Sequence, residues 1–196
     1  MKIFTTDRRY NKIKQVVTQR QHSLRVVIEN IHDPHNVSAI FRTCDAMGVY
    51  KISLIYNDEV FPKISKTSSS SALKWVEKDK FKKVETCFKS LKKEGFKIYS
   101  TLVSKNAINF YKLDLTEKIA IVMGNESRGV SEEAAKLSDK CIYIPMYGMV
   151  ESLNVSVAAA VILYEIQRQR KLKGMYDKSE LSDNEIEEQI IQWCDK

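Results

Sequence analysis

The stretch CIYIPMYGMVESLNVSVAAAVILYE, Cys141 to Glu165, brings a strand, a tight loop and a helix together within one short segment. Cys141 to Ile144 reads as a short buried strand, and Pro145 and Gly148 stop it before regular structure can continue. From Asn154 the spacing becomes helical, with Val155, Ala158, Val161, Ile162 and Glu165 three or four residues apart and Ser152 or Asn154 as the cap. The polar groups of the loop therefore sit at a helix N-terminus. Backbone donors exposed there can hold a polar ligand, although capping alone accounts for Ser and Asn at such positions.

Working outward, the same alternation of strand and helix recurs along the chain. Leu24 to Glu29 reads as a strand, followed by the turn-rich Asn30 to Asn36. A helix then buries Val37, Ile40, Phe41, Cys44 and Met47 and turns Ser38, Arg42 and Asp45 to another face. Taken alone, Arg42 pairs with Asp45 at i,i+3, worth roughly a few tenths of a kcal/mol. His32 and His35 are separated by Pro34 and lack a cysteine or carboxylate cluster, so they read as loop packing, not metal ligands.

Val49 to Tyr56 is a second strand, and Lys63 to Trp75, rich in Ser and Lys, reads as a surface loop. Between Pro62 and Lys105 twelve lysines face four acids, with Trp75 and Phe81 interleaved, an excess that solvated helix faces largely explain. Val84, Cys87, Phe88 and Leu91 mark a helix ended by Gly95, and Phe96 to Leu102 returns as a strand. Lys118 to Met123 is another apolar strand, running into Gly124-Asn125-Glu126-Ser127-Arg128-Gly129 before Ser131 caps a short helix. No lysine follows Gly129 and no G-x-G-x-x-G occurs, which excludes the usual triphosphate and dinucleotide loops.

The ends differ in charge. Thr6 caps a helix with Tyr10, Ile13 and Val17 as its apolar stripe, while Arg8, Arg9, Lys12 and Arg20 make it basic. It reads either as a solvated helix docked by that stripe or as an arm touching RNA phosphates. Residues 177–196 carry seven acids against two lysines, and a capping box at Ser182 and Glu185 opens a helix with Ile186, Ile190 and Trp193 on one face. Such a stripe must dock. The chain as a whole, 196 residues and 43% hydrophobic, is long enough for one good core, and its net charge of +7 favours a polyanionic partner. Four scattered cysteines read as reduced core residues, and neither a membrane span nor a secretory leader is evident, so a cytoplasmic protein without a metal is expected.

Three segments, Asn36 to Arg42, Gly124 to Gly129 and Ile144 to Ser156, resemble in order and spacing the three motifs of the SpoU family of RNA ribose 2′-O-methyltransferases. The resemblance runs through ENIHDPHNVSAIFRTCDAMGV and into both terminal helices, covering essentially the whole chain. It implies an α/β fold of SPOUT type, a parallel sheet flanked by helices with a C-terminal trefoil knot, working as a homodimer. The implied division is a basic helical arm over residues 1–23, a catalytic domain over 24–173 and a helical extension over 174–196.

S-adenosylmethionine is the implied cofactor, held by Thr101, Leu102, Gly124, Glu126, Ile144, Met146 and Leu153. Arg42, Asn36, Glu126, Ser152 and Asn154 are the implied catalytic set, and the substrate is tRNA, at the D-loop guanosine of position 18. Arg8, Arg9, Lys12 and Arg20 are the expected RNA contacts. The competing readings are a ribosomal RNA methyltransferase, whose relatives usually carry a folded N-terminal extension, and a catalytically silent RNA-binding relative. One departure stands out: Ser68 to Ser71 occupy a small-residue loop where many relatives carry a glycine.

Overall fold

The computed structural model describes residues 6–57, 60–63, 72–104 and 106–196. In chain order the elements are α1 (Asp7–Thr18), β1 (Gln21–Glu29), α2 (Pro34–Ala46), β2 (Val49–Ile55), α3 (Ala72–Trp75), β3 (Glu77–Phe81) and α4 (Val84–Lys93). There follow β4 (Lys97–Thr101), β5 (Ile108–Asn109), a 3-10 turn (Phe110–Lys112), β6 (Ile119–Met123), α5 (Glu132–Leu137), β7 (Lys140–Tyr143), α6 (Val155–Leu172) and α7 (Asp183–Cys194). Among the described residues every pairing of these strands is parallel, and the seven lie in the order β3-β2-β1-β6-β4-β7-β5.

Near-continuous apolar runs produce this sheet because both of its faces are covered. Val26 and Ile28 of β1, with Ile119, Ile121 and Met123 of β6, pack under α2 and α6 through Ile40, Phe41, Ile162 and Ile166. The alternate residues Val27, Ala120 and Val122 meet α4 and α5 through Cys87, Phe88, Leu91 and Ala134. Gly95 ends α4 as expected, with φ of +86° and Phe96 N–H donating to Leu91 O at 3.0 Å.

Several sequence expectations need correction. β1 begins at Gln21, three residues earlier than the apolar pattern suggests, and Ala72–Trp75 is a helical turn instead of loop. Residues 64–71, including Ser68 to Ser71, lie outside the described residues. β3, sequence EKDKF, carries no apolar run and was not expected as a strand. It forms at the sheet edge, where one side meets solvent and charged residues are tolerated.

The terminal helices pack on each other. Ile13 and Val17 of α1 meet Ile190 and Trp193 of α7, with Tyr10, Trp75 and Ile186 around them, so both predicted stripes find partners. Arg20 does not belong to a solvated arm. It follows α1, is 1% exposed, pairs with Asp45, and donates to Val49 O at 3.1 Å and Asp45 O at 3.3 Å. Asp45 is thereby taken by Arg20 and does not pair with Arg42.

A second buried guanidinium, Arg170 of α6, ties that helix to the N-terminal end of the sheet. Its five N–H groups reach Leu115 O, Gln21 Oε1, Ser23 Oγ, Ser23 O and Glu117 O at 2.7 to 3.3 Å. All five donors of the fork are used. Arg170→Ala strands these acceptors in a buried pocket, and the expected loss of unfolding free energy is about 3–5 kcal/mol. Urea denaturation checks it; a loss below about 1 kcal/mol rejects the anchoring role.

Candidate active site at the C-terminal edge of the sheet

In a parallel sheet the loops leaving the C-terminal strand ends converge on one edge, the usual place for a ligand site. Here the loops after β4, β6 and β7 enclose a cavity of about 570 Å³. Thr101 and Leu102 line it from the end of β4, Gly124 and Glu126 from the loop after β6, and Ile144, Met146, Ser152, Leu153 and Asn154 from the segment between β7 and α6. Thus all seven residues expected to hold a cofactor border one space.

The wall after β6 is a closed turn. Asn125 N–H donates to Gly129 O at 2.9 Å and Gly129 N–H to Asn125 O at 2.8 Å. Inside the turn the Asn125 side chain accepts from Ser127 and Arg128 N–H at 3.0 and 3.2 Å. Gly124 is required because a Cβ there would lie 2.1 Å from the Gly129 carbonyl carbon. At the far end Glu29, the last residue of β1, accepts from Ser131 N–H at 3.0 Å.

Three of the expected catalytic residues form one directed chain. Asn154 caps α6, its Oδ1 accepting from Ser156 N–H at 2.9 Å, while its Nδ2 donates to Asn36 Oδ1 at 3.0 Å. Asn36, on the first turn of α2, passes the direction on by donating from Nδ2 to Glu126 Oε1 at 3.1 Å. Glu126 also accepts from Asp33 N–H at 3.2 Å and His32 N–H at 3.4 Å, and His32 Nδ1 lies 3.0 Å from it. Burial pushes the Glu126 carboxyl up, but the hydrogen bonds from Asn36 and the backbone outweigh it, so its pKa falls below the ordinary 4.5. A depressed carboxylate stabilises the fold at every pH above its unfolded value and loses that contribution only as pH falls through the lower folded one.

The remaining candidates stand apart. Ser152 lines the cavity with no side-chain partner among the described residues. Arg42 is exposed on α2 beyond the cavity lining, and it too makes no ion pair or side-chain hydrogen bond among the described residues. Arg8, Arg9 and Lys12 are exposed on α1, bordering a shallow groove with Thr6, Ile13 and Trp75. Arg20 is buried elsewhere and leaves the expected RNA set.

Sequence reasoning missed the scaffold behind these groups. Asn30 adopts φ of +51°, a conformation asparagine accepts more readily than most residues. Its Nδ2 donates to Asn57 Oδ1 at 2.6 Å, Asn57 N–H donates back to its Oδ1 at 3.2 Å, and its carbonyl accepts from Asn125 Nδ2 at 2.7 Å. The only available signal was an asparagine directly after a strand, before Ile31-His32-Asp33-Pro34.

Residues 23–164 match the family model of the SpoU rRNA Methylase family. The chain is 44% identical over 191 residues to the tRNA (guanosine(18)-2′-O)-methyltransferase of Thermus thermophilus, covering 97% of this chain and 98% of that protein. It superposes on the crystal structure of the A. aeolicus TrmH/SpoU tRNA modifying enzyme with a TM-score of 0.90 and 41% identity, covering 96% and 95% of the two chains. The SpoU methyltransferase AviRb of Streptomyces viridochromogenes, in complex with the cofactor AdoMet, is more distant, at 26% identity and a TM-score of 0.67 over 79% of this chain and 62% of that one. With a family model spanning most of its length and a relative at 44% identity matched almost end to end, the chain belongs to the SpoU methylase family.

Proposed function

We propose that the protein transfers a methyl group from S-adenosylmethionine to the ribose 2′-hydroxyl of a tRNA guanosine, the D-loop nucleotide at position 18. The observation that carries this reading is the convergence of Thr101, Leu102, Gly124, Glu126, Ile144, Met146 and Leu153, from three separate loops, on one cavity beside the Asn154–Asn36–Glu126 chain. The lining suits the cofactor: Leu102, Ile144 and Leu153 offer apolar surface for a purine, and the Glu126 carboxylate offers charge to a cation. When bound, the group supplies a methyl carried on a sulfonium.

The protein's own residues then have two tasks, orienting the hydroxyl and giving its proton somewhere to go. Glu126 is unsuited to be the base, since its oxygens are engaged by several donors and its pKa is depressed. It positions Asn36 and, through it, the cap of α6. Ser152 has a hydroxyl on the cavity wall with which to orient the ribose. A guanidinium is a poor base, so the part of Arg42 is to hold the ribose hydroxyl and a neighbouring phosphate with its planar fork, while phosphate or water takes the proton. Arg42→Ala is expected to lower kcat at least about a hundredfold with cofactor affinity and melting temperature unchanged, and Arg42→Lys to fare little better. Turnover within threefold of wild type overturns this role.

We further read the active form as a homodimer through α6 and the loop before it, with that segment threaded as a knot behind the loop after β6. Supporting the dimer are the exposed apolar residues Val157 and Tyr164 on α6, and Tyr147 and Met149 on the loop at 95% and 99% exposure. Sedimentation equilibrium at micromolar concentration is expected to give twice the chain mass; an active monomer excludes the dimer.

The basic arm contributes phosphate contacts through Arg8, Arg9 and Lys12. Replacing these three by Gln keeps Ile13 and Val17 in place, and is expected to flatten log tRNA affinity against log salt by roughly 0.7 to 0.9 per lost contact. An unchanged slope returns α1 to a purely structural role.

A further inference from the structure

The lysine excess between Pro62 and Lys105 is not absorbed by solvated helices alone. β3 alternates acid and lysine, and its acids are already neutralised: Glu77 pairs with Lys196 at 2.6 Å and Asp79 with Arg25 at 3.2 Å. Lys78 and Lys80 point to the opposite face of the strand and are exposed. Lys78, with the exposed Lys82 and Lys83 just after the strand, has no acidic partner among the described residues. Among the described residues this leaves a cationic edge.

An aromatic pair lies against this edge. Lys80 Nζ sits 5.7 Å from the ring centroid of Phe61, and Phe61 meets Tyr56 edge-on at 5.2 Å. Phe61 is half-buried, packed against the main core and braced by Tyr56, with Lys80 over its ring. Tyr56 is fixed at both ends. Its N–H donates to Phe81 O at 3.1 Å, directly before Lys82, and its hydroxyl donates to Ile31 O at 2.7 Å. Ile31 immediately precedes His32 and Asp33, whose N–H groups hold Glu126. The aromatic pair is thus built onto the same loop that positions the candidate catalytic chain.

We propose that Phe61, with Lys80 and Lys82, is a substrate-binding contact that stacks an unpaired nucleobase of the RNA and takes the adjoining phosphates. The proposal rests on the methyltransferase reading above and adds a second RNA-binding surface, distinct from the α1 arm. The chemistry fits RNA. Sequence-specific RNA recognition targets loops whose bases are unstacked, and such bases are received on aromatic faces flanked by cations. Lys80, now lying over the ring, is within reach of a phosphate once a base covers Phe61. Stacking on Phe61 would hold the neighbouring nucleotides against a rigid point, since Tyr56 cannot move without breaking its bond to Ile31.

The test uses the full-length protein, S-adenosylmethionine and an unmodified tRNA transcript. Phe61→Ala is expected to raise KM for tRNA about tenfold with kcat changed less than twofold, and Phe61→Tyr to restore the wild-type KM. The double variant Lys80→Gln/Lys82→Gln is expected to flatten the slope of log tRNA affinity against log salt by roughly 1.4, two contacts at about 0.7 each for a single strand. S-adenosylmethionine affinity serves as the control and should not move. Should Phe61→Ala fail to fold, the lysine pair alone decides. A wild-type KM in Phe61→Ala, or an unchanged salt slope in the lysine variant, overturns the contact. If instead the wild-type protein binds tRNA but methylates none, the methyltransferase reading fails, while the salt slope still decides whether these lysines meet RNA.

Discussion

The directed hydrogen-bond chain from Asn154 through Asn36 to Glu126 is the constraint on which the site depends. An amide has one accepting and one donating end, so the chain has a single consistent order: Asn154 must give its donor to Asn36 because its own oxygen is spent on Ser156 N–H. Asn36 must then present its donor to Glu126, whose carboxylate accepts from Asn36, Asp33 and His32 together. An aspartate at position 36 would set carboxylate against carboxylate, and a leucine would leave both neighbours unpaired in a half-buried place. The N-terminus of α2, the loop after β6 and the N-terminus of α6, more than a hundred residues apart at the extremes, are thereby held in one geometry.

Behind this chain the strand ends are laced by a second set of asparagines. Asn30 joins the loop after β1 to the loop after β2 through Asn57, and to the loop after β6 through Asn125. The strained φ of Asn30 turns its carbonyl toward Asn125, and two-way pairing with Asn57 offsets the cost. Since His32 and Asp33 follow within three residues, any slack in the ladder would reach Glu126. Rigidity at the C-terminal ends of the strands is the physical meaning of these asparagines.

The apolar periodicities were read correctly where burial dictates sequence. β6 is apolar at every position because both faces of the sheet are covered, and α4 shows its four buried residues at helical spacing. β3 escaped because an edge strand of alternating charge has no apolar signature, and the start of β1 escaped because Gln21 and His22 carry none either. The site residues came from the motif resemblance, and chemistry alone offered only a polar loop at a helix N-terminus. No local pattern could show that positions 36, 126 and 154 touch. Arg20 was misplaced for the same reason: helical spacing grouped it with Arg8, Arg9 and Lys12, whereas α1 ends at Thr18 and the chain carries Arg20 inward to Asp45.

The arginines of this chain sort by whether their donors are spent. Arg20 and Arg170 are enclosed and bonded to carbonyls and side chains that fix α1, β1 and α6, and Arg25 is divided between Asp79 and Glu94 at 3.2 and 3.0 Å. Taking a guanidinium out of water is costly, so such groups persist where several acceptors share it and burial keeps them from a ligand. Arg42 is the converse, an exposed fork on the helix whose first turn carries Asn36, with no ion pair among the described residues once Asp45 is committed to Arg20. The buried pair Arg20–Asp45 therefore has a consequence at a distance. By occupying the carboxylate that sequence spacing would assign to Arg42, it leaves that guanidinium available to a phosphate, which a surface pair with Asp45 would have contested.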